Sequence, residues 1–330
     1  MRSHTKSLHI IFLLLIAFVS FSCKQGTGNT RVLKLAHGLP PGHSVHQGLL
    51  YMNERLQELS GGKMRLDIYS SAQLGSENQC IELLQIGSLD ITKVSSAALE
   101  GFVDPFKVFG IPYLFSSKKQ FFHVLDGKIG KQILESTEPY WFRGLAYFDS
   151  GARSFYTVNK PVRTPEDLKG LKIRVQKSPI AVEMMKAFGG SATPVDWGEL
   201  YTALQSNVVD GAENNTPSVT TAFHHEVIKY YSVNEHTMCP DVIIMSSATW
   251  KKLSEEERGW LQKAADEAAI YQRKLWEAQE KESMDIMKEH GVEIIYPDKK
   301  PFMEAARPMI EKFKEDPAFH DLIDQIQRTK

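Results

Sequence analysis

LKGLKIRVQKSP (168–179) and LQSNVVDGAENN (204–215) each run from a turn into a short apolar strand that finishes on polar side chains. Arg174 ends the first strand, and Glu213 with Asn214 ends the second. Between them, SATPVDWGELYTAL (191–204) sets Trp197 where the chain passes from strand into helix. In an open α/β sheet, ligands sit just beyond the carboxyl ends of the strands. Arg174, Trp197, Glu213 and Asn214 are therefore expected to converge on one crevice. It would offer a fixed cation, a flat apolar face and an amide, a combination suited to a small anion with a polar body.

Outward from this stretch, strands and helices alternate. Ser178 and Pro179 start a helix as cap and first helical residue, and Gly189-Gly190 stops it. Asp196 and Glu199 have capping-box spacing, which predicts Trp197 at a helix N-terminus. Upstream, Leu33–Ala36 reads as a strand. Leu49, Met52, Leu56 and Leu59 give helical spacing over 45–59. Strands are predicted at 64–70 and 89–94 and a helix at 77–86, so the class is α/β and doubly wound. LQIGSLD (84–90) is echoed by LQSNVVD (204–210), which suggests equivalent geometry in two halves facing one cleft. From Ser254 to His290 no proline interrupts a helical pattern that would exceed ~50 Å, longer than one lobe needs. The apolar residues keep no heptad, so a brace spanning two lobes is expected rather than a coiled coil.

The first 22 residues read as an export signal: Arg2 and Lys6, an apolar run from Ile10 to Val19, then Ser20-Phe21-Ser22. Cys23 follows as an expected lipidation site, and 23–31 reads as a polar tether. Removing Arg2 and Lys6 from the 39 basic residues leaves 37 against 40 acidic ones, a net charge of −3. No basic patch points to nucleic acid. Cys80 and Cys239 could pair only if the fold brings them together. There is no CxxC, and His37, His43 and His46 read as scattered loop histidines, so neither a metal nor a cofactor is expected. Neither G-x-S-x-G nor G-x-G-x-x-G occurs, which argues against a hydrolase or a dinucleotide enzyme. A sugar-acid lyase and a ligand-sensing receptor remain as alternatives to a transport receptor.

Four longer motifs carry a family resemblance: AQLGSENQCIELLQIGSLDIT (72–92), FGIPYLF (109–115), SFYTVNKPVRTPEDLKGLKIRV (154–175) and GELYTALQSNVVDGAEN (198–214). In order and spacing they resemble the substrate-binding proteins of tripartite ATP-independent periplasmic (TRAP) transporters. The resemblance implies a two-lobed, periplasmic-binding-protein-like α/β fold with a long C-terminal helix spanning both lobes. Lobe I would hold 32–151 and 240–278, and lobe II 152–239 and 279–330. It implies a receptor, not an enzyme, that hands an organic acid to a TRAP permease. By this resemblance Arg174 and Arg153 meet the ligand carboxylate, Asn214 supplies the amide, and Trp197 packs on the ligand body. Glu77, Ser95, His37 and His236 are expected near the cleft. Ser95 stands where sialate-binding relatives carry an acid, which argues against an amino sugar acid. Polar groups on lobe I favour a hexuronate such as glucuronate or galacturonate. A C4-dicarboxylate would need a second cation opposite Arg174, for which Lys93 is the candidate.

Overall fold

The computed structural model describes residues 30–329. The export signal, Cys23 and most of the expected tether lie outside them. Arg31 already belongs to the first strand, where it pairs with Met64.

Eleven strands form two sheets among the described residues. The first, in the order β2-β1-β3-β10-β4, holds β1 (Arg31–Ala36), β2 (Met64–Tyr69), β3 (Ile91–Ser95), β4 (Phe142–Phe148) and β10 (Asp241–Ser246). Its first three strands are parallel, and β10 lies antiparallel between β3 and β4. The second sheet, β11-β9-β5-β8-β6-β7, holds β5 (Arg153–Thr157), β6 (Lys172–Val175), β7 (Ser191–Pro194), β8 (Gly211–Asn214), β9 (Tyr230–Thr237) and β11 (Glu293–Ile295). Every residue of β3, β5, β8 and β10 is buried, as expected of strands covered by helices on both faces. Each sheet is the middle layer of one lobe, with an apolar core on either side.

The chain crosses between lobes at 149–152 and 238–240, and again within the helix Glu255–Glu289. That helix runs 35 residues without a break, and its start is a realised capping box of Ser254 with Glu257. Leu261, Ala264, Ala265, Ala268, Ala269 and Trp276 bury its first part in a core of lobe I, whereas Met287 enters a core of lobe II. Its small side chains allow close approach to the helix Ser44–Leu59. A Cβ on Gly48 would lie 2.8 Å from Gln272 Cβ. Fully buried Gln272 clasps the first crossing, accepting from Asp149 N–H at 2.8 Å and donating to Asp149 O at 2.9 Å. In the same crossing Gly151 adopts φ +58°, and a Cβ there would strike Glu280 and Trp276.

The C-terminal helix Pro317–Arg328 departs from the expected division. Phe319, Ile323 and Ile326 pack with Phe106 and Phe121 of lobe I, and Gln120 Nε2 donates to Ile326 O at 2.9 Å. Thus β11 belongs with the second sheet, but the chain end returns to the first lobe.

The heptapeptide echo has a structural counterpart. Each copy closes a helix and turns through a left-handed residue, Gly87 (φ 72°) or Asn207 (φ 55°). Each then spends its aspartate in the same way: Asp90 accepts from Lys34 N–H and Asp210 from Lys172 N–H, both at 2.8 Å. The aspartate thereby ties the turn to the neighbouring parallel strand, β1 in one lobe and β6 in the other.

Candidate functional site

A cleft opens between the lobes at the carboxyl ends of β3, β6 and β8. Lobe II contributes Arg174, Trp197, Asn214 and Gln176, together with Arg153 at the crossing. Lobe I contributes Glu77, Lys93, Ser95 and Asp241.

Arg174 is 3 % exposed. Its Nε donates to Val195 O at 2.8 Å, and its Cζ lies 5.9 Å from the Trp197 ring centroid. Its Nη1 is buried with no hydrogen-bond partner among the described residues. Burial acts against the charge and lowers the pKa from its usual value, and neighbouring Arg153 adds to this. A cation in this state gains from an anion that supplies the missing acceptors.

Arg153 is the opposite case. Its Nε and Nη2 (2.9 Å) hold the Glu213 carboxylate bidentately, Nη2 reaches Glu213 O at 2.7 Å, and Nη1 donates to Asn214 Oδ1 at 2.8 Å. Burial resists both charges. The pairing overrides it, raising the Arg153 pKa and drawing Glu213 down to about 2. Asn214 Oδ1 also accepts from Asn215 N–H at 2.9 Å. Both neighbours of that oxygen are donors, which fixes the amide orientation and leaves Nδ2 as the donor for the cleft.

Glu213 does not line this cleft, contrary to expectation. It neighbours Asn214 on a strand whose side chains alternate, so it turns to Arg153 and His236 instead. His236 is fully buried, with its ring stacked on Phe155 at 4.5 Å and its Nε2 3.5 Å from Glu213. His37 is also behind the wall: Nε2 meets His46 Nδ1 at 3.0 Å and Nδ1 accepts from Leu39 N–H at 3.2 Å. The adjoining Gly38 and Leu39 reach the cleft instead. The predicted capping box at Asp196 does not form. Its carboxylate takes Lys177 Nζ at 2.7 Å, and a 3₁₀ turn over Trp197–Glu199 precedes the helix Leu200–Gln205.

On lobe I, Lys93 Nζ stands 3.2 Å from Asp241 and 3.6 Å from Glu77. Glu77 Oε1 also accepts from Ser95 N–H at 2.9 Å. Sequence reasoning passed over Asp241, which follows Pro240 at the start of a strand 148 residues from Lys93. Gln176 was also missed, although it lies two residues beyond Arg174, so strand alternation could have pointed to it. Cys80 and Cys239 are buried free thiols.

The lobes touch across the cleft. Ser95 Oγ donates to Gln176 Oε1 at 3.5 Å, and His43 Nε2 meets Ser218 Oγ at 3.3 Å. Glu100 of lobe I accepts from Ser178 Oγ and from Ile180 N–H (3.3 Å) at the start of the helix Pro179–Ala187.

The model of the bacterial extracellular solute-binding proteins, family 7 (DctP), matches residues 35–316. The chain belongs to this family. It is a TRAP-type solute receptor with the two-sheet fold of its relatives. It is 41% identical to a TRAP periplasmic solute binding protein from Anaerococcus prevotii whose crystal structure holds α/β-D-glucuronate, with a TM-score of 0.89 over 91% of this chain and 98% of that one. A second such protein, from Xanthobacter autotrophicus and with bound β-D-galacturonate, is 39% identical, with a TM-score of 0.88 over 90% of this chain and 100% of that one. The Salmonella typhimurium protein YiiZ is 34% identical over 325 residues, 98% of each chain. No described helix of the receptor is long and apolar enough to cross a membrane.

The interlobe carboxyl gives a pH prediction. Burial pushes Glu100 up to about 8, against the opposing pull of Ser178, Ile180 N–H and Lys107. Between its usual carboxylate value and 8, the folded protein keeps a proton that the unfolded chain releases. Stability therefore falls as pH rises through that window, by about 1.4 kcal/mol per pH unit at most. His37, His43 and His224, held low chiefly by burial, and His46, His225 and His236, also lowered by burial, oppose this trend below about pH 7.5, because the unfolded chain still binds protons there on their imidazoles. The melting temperature of the wild type relative to that of Glu100→Gln is expected to fall from pH 6.5 to 8, the histidine contributions being common to both. An equal slope in the variant would assign the effect to another group.

Proposed function

We propose that this receptor binds a hexuronate, D-glucuronate or D-galacturonate, and passes it to a TRAP permease. The observation that carries the reading is Arg174, a buried guanidinium in the cleft whose Nη1 has no partner among the described residues. The carboxylate takes its place against Arg174, with Asn214 Nδ2 as a further donor. Trp197 offers an apolar face to the ring. Glu77 and Ser95 face the far end of the ligand with acceptor and hydroxyl groups that suit sugar hydroxyls. Two receptors of the same fold at about 40% identity, crystallised with galacturonate and glucuronate, support the choice of acid. We further propose that the chain is exported and that Cys23 carries a lipid anchor.

A lyase is disfavoured by the charges that line the cleft. Glu77 and Asp241 share Lys93 as their counter-ion, which suits holding a polar ligand better than removing a proton from it.

Calorimetry and thermal shift with D-glucuronate and D-galacturonate test the proposal. At a ligand concentration of 100 Kd, binding adds about 2.7 kcal/mol, enough to raise Tm by several degrees. No shift with either uronate, alongside a clear shift with malate or succinate, would replace the hexuronate with a dicarboxylate.

A further inference from the structure

We infer that Lys93, Asp241 and Glu77 form a wall that selects against a second carboxylate, with Lys93 as a hydroxyl donor rather than an anion-binding cation. The inference rests on the sugar-acid reading of the cleft and adds which acids the cleft rejects.

Lys93 is the one cation that lobe I presents to this cleft among the described residues. Taken alone it would suit the far carboxylate of a diacid gripped at its near end by Arg174. The structure uses its charge otherwise. Lys93 and Ser95 alternate to one side of β3, and Asp241 pairs with Ser95 in the antiparallel register, which sets the acid diagonally beside Lys93. Lys93 Nζ is then 3.2 Å from Asp241 Oδ1 and 3.6 Å from Glu77 Oε1, and its side chain is 3% exposed. One ammonium faces two carboxylates. Asp241, raised by burial to about 6, is still mostly ionised at neutral pH.

The wall therefore carries about one net negative charge, whereas Arg174 on the opposite side carries one positive charge without a carboxylate partner. A monoacid matches this polarity: its carboxylate meets Arg174, and its hydroxyls can donate to Glu77 Oε2 and accept from Lys93. A diacid presents a second anion to a surface already negative and poorly solvated, where like charges repel strongly. Glu77 Oε1 is engaged by Ser95 N–H and Lys93, so the carboxylate is fixed in place and cannot turn away from such a ligand.

D-Gluconate and D-glucarate test this directly, because they share a six-carbon skeleton and the hydroxyls at C2 to C5 and differ only at C6, a hydroxymethyl group in one and a carboxylate in the other. Calorimetry on the purified chain at pH 7.5 is expected to show a monoacid preference of about a hundredfold or more. Asp241→Asn removes one negative charge, and the gluconate-to-glucarate affinity ratio is expected to shrink about tenfold, mainly through tighter glucarate binding. Glu77→Gln, at the more exposed end of the wall, is expected to act in the same direction and covers the case in which Asp241→Asn does not fold. Equal affinity of the wild type for the two acids overturns the inference. So does an unchanged ratio in both folded variants, or failure of the wild type to bind any polyhydroxy monoacid. Binding of gluconate without either uronate would instead defeat the hexuronate proposal and leave this inference standing on its own ratio.

Discussion

Arg174→Ala is expected to reduce hexuronate affinity by roughly thirtyfold to several thousandfold while leaving the empty protein as stable as the wild type. Removing one partner of a buried, hydrogen-bonded charge pair costs roughly 2–5 kcal/mol in binding. The ligand carboxylate would lose its counter-charge in a cleft whose other arginine is already committed to Glu213. The fold loses little. Arg174 makes one hydrogen bond, to Val195 O, and leaves Nη1 unpartnered, so truncation also relieves an uncompensated buried charge. Arg174→Lys is expected to fall between the two, because an ammonium keeps the charge but cannot reproduce the planar fork. Calorimetry with D-glucuronate measures both variants, and an Arg174→Ala affinity within threefold of wild type would place the anion elsewhere.

Glu213→Ala is expected to act on the fold. Arg153 and Glu213 are both buried, and Arg153 spends most of its donors on that residue and on Asn214. Removing the acid strands a guanidinium beside the first crossing between lobes. Breaking a buried pair from one side costs roughly 3–5 kcal/mol, which corresponds to a Tm lower by roughly 6–15 °C. The double variant Arg153→Met/Glu213→Met is expected to recover much of that loss, because it removes the stranded charge together with its partner. Thermal or urea unfolding of both variants decides the matter. A single variant as stable as wild type would mean that water reaches Arg153 and solvates it.

Much of this arrangement was legible in the sequence, for identifiable reasons. An apolar run marked β6, and the turn at Asn207 marked the entry to β8, although Val208 and Val209 lie in the bend before that strand rather than in it. Residues at strand ends face the cleft of an open sheet, so Arg174, Asn214 and Trp197 could be placed near one another. The heptapeptide echo worked because a left-handed turn residue and an aspartate that ties neighbouring strands are local chemistry. The long helix announced itself through its capping box and its lack of proline. Other features depended on contacts that linear order does not reveal. Glu213 faces away from Asn214 because side chains alternate, and its true partner lies 60 residues upstream. Lys93 was visible as a cation, but Asp241, which cancels it, joins the same sheet through an antiparallel strand far along the chain. His37 and His236 sit close to the cleft in sequence terms, yet packing turns both rings inward. The return of Phe319, Ile323 and Ile326 to lobe I was hidden because an amphipathic helix does not say which core it will cover.

The helix Glu255–Glu289 has a mechanical consequence. It runs about ten turns as a single rod. Its early part is locked against lobe I by Gln272 and Trp276. Its far end is held in lobe II by Met287 and by Ser283, which meets Thr220 at 2.8 Å. Spreading the lobes must therefore flex that rod or drag its end through its socket. The deformation would be distributed along many turns instead of being concentrated in the two short crossings, 149–152 and 238–240, beside it. Any opening of the cleft thus works against an elastic load, and an acid that holds the lobes together keeps that load relaxed.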